Sequence, residues 1–198
     1  MNMKKMKIIL LASCLVWVFA GCSNPTRKNS TDVADSINST RDSGEKVQPN
    51  STMEISEADA KFAVEAASGG MAEVELGKLA QTKATNAQVK DFGAMMVKDH
   101  AKANAEMKDL ADSKKIVLPN SLSNEDQKLK TRLASKSGAD FDKAYVDAMV
   151  DDHKKDIKAF EEARHKVKYP EMQAFIDKTL PVLKMHLQAV QKIHTQVK

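Results

Sequence analysis

The stretch NAQVKDFGAMMVKDHAKANAEMKDL, residues 86–110, decides the fold class. Val89, Phe92, Met96, His100, Ala103, Met107 and Leu110 recur every three or four residues. That is the period of an α-helix with one buried face. All but one of these residues are apolar. The exception, His100, stands in the middle of the stripe, where an imidazole is costly unless it is paired or holds a metal.

Working outward, the preceding segment predicts a helix over residues 57–83. Ser56-Glu57-Ala58-Asp59 resembles a capping box. The stripe here is Phe62, Ala66, Gly69, Glu73, Leu76 and Ala80. Gly69, Gly70 and Gly77 lie inside it, each costing ~1 kcal/mol relative to alanine, so a close helix–helix approach is expected to offset them. Gly77 lies eight residues before Thr85 and Gly93 eight after it. In an antiparallel hairpin those two glycines are level, and the helices are expected to approach there. Thr85 to Gln88 also has capping-box spacing.

Downstream, a link of about 20 residues starts at Val117-Leu118-Pro119 and ends at Ser137-Gly138. It contains a short predicted helix over 123–134 and can cross the length of a bundle. A third long helix is expected over 139–167, with Val146, Met149, His153, Ile157 and Phe160 on one face. Pro170 opens a fourth at its favoured first position, continuing to about 197 with Phe175, Ile176, Leu180, Leu183, Leu187, Val190 and Ile193. Pro181 removes one backbone hydrogen bond and predicts a kink one turn before His186. Nothing in residues 53–198 reads as a strand. Met96-Val97-Lys98-Asp99-His100 matches Met149-Val150-Asp151-Asp152-His153, which points to two hairpins joined by the crossover.

Glu73, His100, His153 and His186 thus fall one per helix. Glu73 lies 12 residues before Thr85 and His100 15 after it. At ~1.5 Å per residue the two are within about 5 Å of level. His153 lies 16 residues before Tyr169 and His186 17 after it. If the hairpins pack midpoint to midpoint, the four share one layer. Three imidazoles and a carboxylate suit Zn²⁺, Fe²⁺, Mn²⁺ or Cu²⁺. Asp99, Asp152 and Tyr145 are candidate outer partners, although neighbours in sequence point to different helix faces. Met96 and Met149 are candidate soft ligands, which would favour copper, or plain core. A buried hydrogen-bond network without metal is the competing reading. Glu162-Ala163-Arg164-His165 reads as a solvated face.

The N-terminus has the parts of an export signal. Lys4, Lys5 and Lys7 precede an apolar run from Ile8 to Ala20, too short for a comfortable membrane span. Phe19-Ala20-Gly21-Cys22 resembles a bacterial lipobox. Residues 1–21 are therefore expected to be a lipoprotein signal peptide and Cys22 a lipidated anchor. Residues 23–52, rich in Ser, Thr, Asn and Asp, read as a disordered linker. Residues 53–198 form the folded domain. Ser23 after Cys22 favours the outer membrane, facing the periplasm. Cys14 would be removed, leaving no disulfide and no Cys-based metal site. The formal charge of +4 falls to about +1 (4 − 3) without the three signal lysines. With no basic stripe carrying aromatics, nucleic acid is not an expected partner.

Four segments carry a resemblance: Gly70 to Ala80, Met96 to His100, Phe141 to Tyr145 with His153, and Leu180 to Leu183 with His186. Together they resemble domain-of-unknown-function family 4142, of the ferritin-like superfamily. The resemblance implies an all-α, ferritin-like four-helix bundle in an exported, often lipid-anchored protein, without an established activity. Helices two and four lack the E-x-x-H pattern of di-metal members, with Val97 and Leu183 at the Glu positions. At most one metal ion is therefore expected. The sequence points to a membrane-anchored binding module with a metal or polar site, in envelope stress or metal handling. A mononuclear redox or peroxide enzyme and a purely structural envelope protein are the alternatives.

Overall fold

The computed structural model describes residues 29–42 and 55–197. The expected signal peptide, Cys22 and the remaining residues of the expected linker lie outside them. Six helices follow in order: α1 (Ser30–Asp42), α2 (Glu57–Lys83), α3 (Ala87–Lys114), α4 (Asn124–Ala134), α5 (Gly138–Arg164) and α6 (Pro170–His194). There is no strand among the described residues. None of the described helices is long and apolar enough to cross a membrane.

The bundle consists of two antiparallel hairpins, α2–α3 and α5–α6, joined by a crossover that carries α4. Ser56 caps α2 in a full capping box with Asp59. The cap of α3 differs from the expected Thr85. Asn86 takes that role, its side chain accepting from Gln88 N and Val89 N, because Thr85 is committed elsewhere. Ser123 caps α4. Helix α6 continues through Pro181.

Two carboxylates tie the hairpins together. Asp59, near the start of α2, accepts from the backbone N–H groups of Lys168 and Tyr169 at 3.0 Å each. Asp142, near the start of α5, accepts from Thr85 N at 3.0 Å, Thr85 Oγ at 2.5 Å and Asn86 N at 2.9 Å. Each hairpin thus clamps the turn of the other. The spacing is the same both ways (142 − 59 and 169 − 86 are both 83), so the hairpins are related by a pseudo-twofold. That relation pairs His100 with Leu183, so the matching segments ending in His100 and His153 are not its counterparts.

The pair α2–α3 packs closely where the glycines predict. A Cβ on Gly77 would stand 2.7 Å from the Gly93 carbonyl oxygen, and one on Gly93 2.8 Å from that of Gly77. The contact is backbone to backbone and cannot yield by a rotamer change.

The linker expectation needs correction over residues 30–42. They form α1, which lies on α2 with Ala34 buried. Low apolar content hid it, because its anchor is polar. The Asn38 side-chain amide donates to Val117 O at 3.0 Å while its carbonyl accepts from Val117 N at 2.9 Å.

The core falls into two apolar clusters. One holds Phe62, Met107, Phe160, Phe175 and Leu183; the other holds Leu76, Phe92, Met96, Tyr145, Met149 and Val190. On every long helix a polar residue separates them. Glu73 lies between Ala67 and Leu76, His100 between Met96 and Met107, His153 between Val150 and Phe160, and His186 between Leu183 and Val190.

Gly77→Ala and Gly93→Ala are each expected to lower unfolding free energy by ~1–3 kcal/mol through overpacking. Urea denaturation measures this. A change below ~0.5 kcal/mol would show that the backbones have room to part. Asp142→Ala is expected to cost about 2–3 kcal/mol by stranding the Thr85 and Asn86 donors.

Candidate metal centre

Each residue of the polar layer reaches the bundle axis because it occupies the buried stripe of its helix. Glu73, His100, His153 and His186 are 1%, 5%, 0% and 0% exposed. The three imidazole centroids lie 5.3, 5.5 and 5.9 Å apart. Each ring offers a nitrogen within 4.8 Å of one from both others.

Every imidazole is fixed through one nitrogen. Nδ1 of His100 lies 2.6 Å from Glu73 Oε2. Nδ1 of His153 donates to the Met149 carbonyl at 3.0 Å. Nε2 of His186 donates to Asp99 Oδ2 at 3.0 Å. The opposite nitrogens, His100 Nε2, His153 Nε2 and His186 Nδ1, are buried with no hydrogen-bond partner. A carbonyl only accepts, so on neutral His153 the proton sits on Nδ1 and Nε2 carries a bare lone pair. The same reasoning leaves a lone pair on His186 Nδ1.

Burial keeps these rings neutral. It lowers His100 to about 4 despite the opposing pull of Asp152 and Asp99. His153 is lowered to about 3 by burial, then by His100 and His186. His186 is also lowered, burial outweighing its bond to Asp99. Glu73 is pushed well above the usual carboxylate range by burial, then by Asp152 and Asp126. Burial thus disfavours the charged form of both Glu73 and His100.

Such an arrangement has the donor set and the outer partners that could hold a metal ion. Ligating histidines hold their second nitrogen on a carboxylate or carbonyl, which fixes the tautomer and raises basicity. Here Glu73, Met149 O and Asp99 do this. Glu73, expected among the ligands, has Oε2 on His100 Nδ1 at 2.6 Å and Oε1 3.4 Å from His153 Nε2, and its carboxylate also groups with Asp152 and Asp156. Asp99 serves His186 on α6 and not its neighbour His100. Neighbouring positions point about 100° apart on a helix. Met149 contributes its carbonyl, while its side chain and that of Met96 are fully buried in the apolar cluster. The Tyr145 hydroxyl is buried without a partner, its ring stacked on Phe141 at 5.9 Å. Asp152 joins the carboxylates and makes no bond to a ring nitrogen. Glu162 and His165 are exposed, as expected of a solvated face.

Sequence reasoning missed Asp156 and Phe92. Asp156 lies one turn beyond Asp152, a spacing that could have placed it on the same face. Phe92 walls the site from below, 6.1 Å from the His153 ring and 6.5 Å from that of His186. On the other side a cavity of about 60 Å³ runs from buried Glu73 and His100, past Gly70, Asn104 and Asp156, to exposed Glu65. It has room for several waters.

Glu73 should make the metal-free fold sensitive to pH. Its raised folded pKa gives stability that is complete below 4.5 and lost as pH rises through the folded value. Glu73→Gln removes that loss. Metal-free Glu73→Gln is therefore expected to melt above the parent at pH 7 to 8, with the gap closing toward pH 4.5. His100 works in the opposite sense. Its lowered pKa gives stability complete above 6.5 and lost as pH falls toward 4, an effect on the order of 3 kcal/mol. Thermal melts across this range measure both limbs. A pH-independent difference between parent and Glu73→Gln would refute the assignment.

No curated protein matches the chain by sequence. Among solved structures, the DUF305 fragment from Deinococcus radiodurans superposes with a TM-score of 0.65 at 7% identity, covering 73% of this chain and 99% of that one. CopM in its Ag-bound form gives 0.58 at 16% identity, covering 70% and 96%. CopM in its Cu(II)-bound form gives 0.58 at 13%, covering 71% and 97%. These likenesses agree with a ferritin-like type of helical fold. A family model matches residues 44–193, and the chain belongs to the domain-of-unknown-function family DUF4142.

Proposed function

We propose that this chain is an exported, lipid-anchored binding module that holds one transition metal ion on His100, His153 and His186, and that it serves metal handling in the cell envelope. One observation carries the reading: three buried imidazole nitrogens meet without a partner, each ring fixed through its other nitrogen. A hydrogen-bond network accounts for them only in part. The lone pair of His186 Nδ1 has no donor near it among the described residues, and that of His153 Nε2 faces only Glu73 Oε1, at 3.4 Å. A cation satisfies all three at once.

Copper or silver is the preferred ion. Three neutral nitrogens without a carboxylate ligand suit copper and zinc better than manganese or iron, which favour oxygen donors. CopM, of similar fold, is described with silver and with Cu(II) bound. The anchor rests on the lipobox-like Phe19-Ala20-Gly21-Cys22 and places the bundle on the periplasmic face of the outer membrane. A second reading, a redox or peroxide enzyme, is favoured by the cavity at His100, which leaves room for a further ligand.

Full-length protein purified without a His tag or chelator is expected to carry or take up one equivalent of Cu²⁺ or Ag⁺. Asp99→Asn removes only an outer partner and should weaken binding about 10- to 100-fold. His100→Gln, His153→Gln and His186→Gln should each weaken it more. Metal titration and elemental analysis give the result. Unchanged affinity in all three His variants would end the proposal. Turnover of peroxide or superoxide by the loaded protein would favour the enzyme reading.

A further inference from the structure

Beside the imidazole centre lies a second cluster that its chemistry does not use. Glu73, Asp152 and Asp156 each bring a carboxylate oxygen within 4.8 Å of both others. Lys155 lowers the pKa of Asp152 and Asp156 from a distance, less than burial raises them, and among the described residues no Lys or Arg lies within ion-pair distance of any of the three. Glu73 is 1% exposed, and its Oε1 has no hydrogen-bond partner. That oxygen belongs to the half of the carboxylate not engaged by His100. Glu73 and Asp156 line the cavity. Gly69 keeps it open, since a Cβ there would stand 3.8 Å from both Asp156 oxygens.

The placement follows the architecture. The spacing that relates the two clamping aspartates also relates Glu73 to Asp156 (156 − 73 is 83). Equivalent positions of the two hairpins therefore present an acid each toward the same space, and Asp152 adds a third from one turn earlier on α5. Three carboxylates this close repel one another when ionised. Burial raises all three, Asp152 to about 6; the charge of Asp152 adds to the rise in Glu73 and Asp156, and that of Asp126 adds to it in all three.

We propose that Glu73, Asp152 and Asp156 form a second cation site, of oxygen donors, that takes a hard divalent ion. Glu73 joins the two centres: Oε2 orients His100, Oε1 lies 3.4 Å from His153 Nε2, and one carboxylate oxygen falls within 4.8 Å of an oxygen on each of Asp152 and Asp156. Oxygen-only donors select manganese, magnesium or calcium-like ions, whereas the imidazoles select softer ones. The two sites therefore differ in the ion each takes. The cavity supplies the route from solvent and the space for the waters that a hard ion retains. This inference rests on the acidic cluster and stands apart from the proposed copper or silver binding.

Mn²⁺ is the probe, measured by electron paramagnetic resonance and calorimetry on full-length protein saturated with Ag⁺. One equivalent is expected to bind. Asp152→Asn and Asp156→Asn should each weaken Mn²⁺ at least tenfold while leaving Ag⁺ affinity within twofold. Both variants should melt above the parent when metal-free, because a repelling charge is gone. That shift also shows that they fold. His153→Gln should lose Ag⁺ and retain Mn²⁺. Mn²⁺ bound with equal affinity in parent and both Asp variants would be an adventitious ion only and would overturn the site. Ag⁺ binding with no Mn²⁺ binding would overturn it while leaving the imidazole centre intact. Mn²⁺ binding without Ag⁺ would do the reverse.

Discussion

The structure depends on the reciprocal clamp made by Asp59 and Asp142. A four-helix bundle held by apolar stripes alone tolerates sliding of one hairpin along the other, because hydrophobic contact is non-directional. A polar layer does not tolerate it. Displacing one hairpin by a turn would set the imidazoles against an apolar cluster and part His186 on α6 from its partner Asp99 on α3. The carboxylates fix the height by binding backbone donors at the turn of the opposite hairpin. Gly77 and Gly93 fix the spacing within the first hairpin. Together these contacts leave little freedom in where the four side chains meet.

Much of this was legible in the sequence, because helical periodicity and turn positions together give heights. The capping box at Ser56, the glycine contact and the layer of Glu73, His100, His153 and His186 follow from spacing alone. The two hairpins and the crossover with its short helix do so too. What spacing cannot give is which atom of a side chain meets which neighbour. Glu73 read as a ligand because a buried carboxylate near histidines resembles one. Only the geometry shows it set between His100 Nδ1 and His153 Nε2. Asp99 read as a neighbour of His100, yet a helix turns it toward α6. Asp142 was silent because its partners are two backbone amides and a threonine hydroxyl 57 residues away, which carry no sequence signature. α1 was silent because it is held by Asn38 and one buried alanine rather than by an apolar stripe.

The polar layer is also where the fold gives up stability. Unpartnered buried nitrogens and an unpartnered carboxylate oxygen each cost about 1–3 kcal/mol. Apolar residues of similar size would close the core and unite its two clusters. The layer has an additional asymmetry. Toward Phe92 and Tyr145 it is dry and packed; toward Asn104 and Asp156 it meets the cavity. A packed network retained only for specificity would have no reason for such a vestibule on one side.

That asymmetry bears on how the chain differs from carboxylate-bridged di-metal bundles. Those need acids on most of the helices, and here Val97 and Leu183 are apolar where such acids would be. The acids present are drawn to one side, from α2 and α5, while α3 and α6 supply only imidazoles to the axis. Nitrogen and oxygen donors are thereby sorted across the layer and meet at Glu73, 2.6 Å from His100 Nδ1 and 3.4 Å from His153 Nε2. A cation near either face changes the charge that Glu73 presents to the other. Under the two-site proposal the faces share Glu73 alone, so any coupling between them passes through that one carboxylate and is reciprocal.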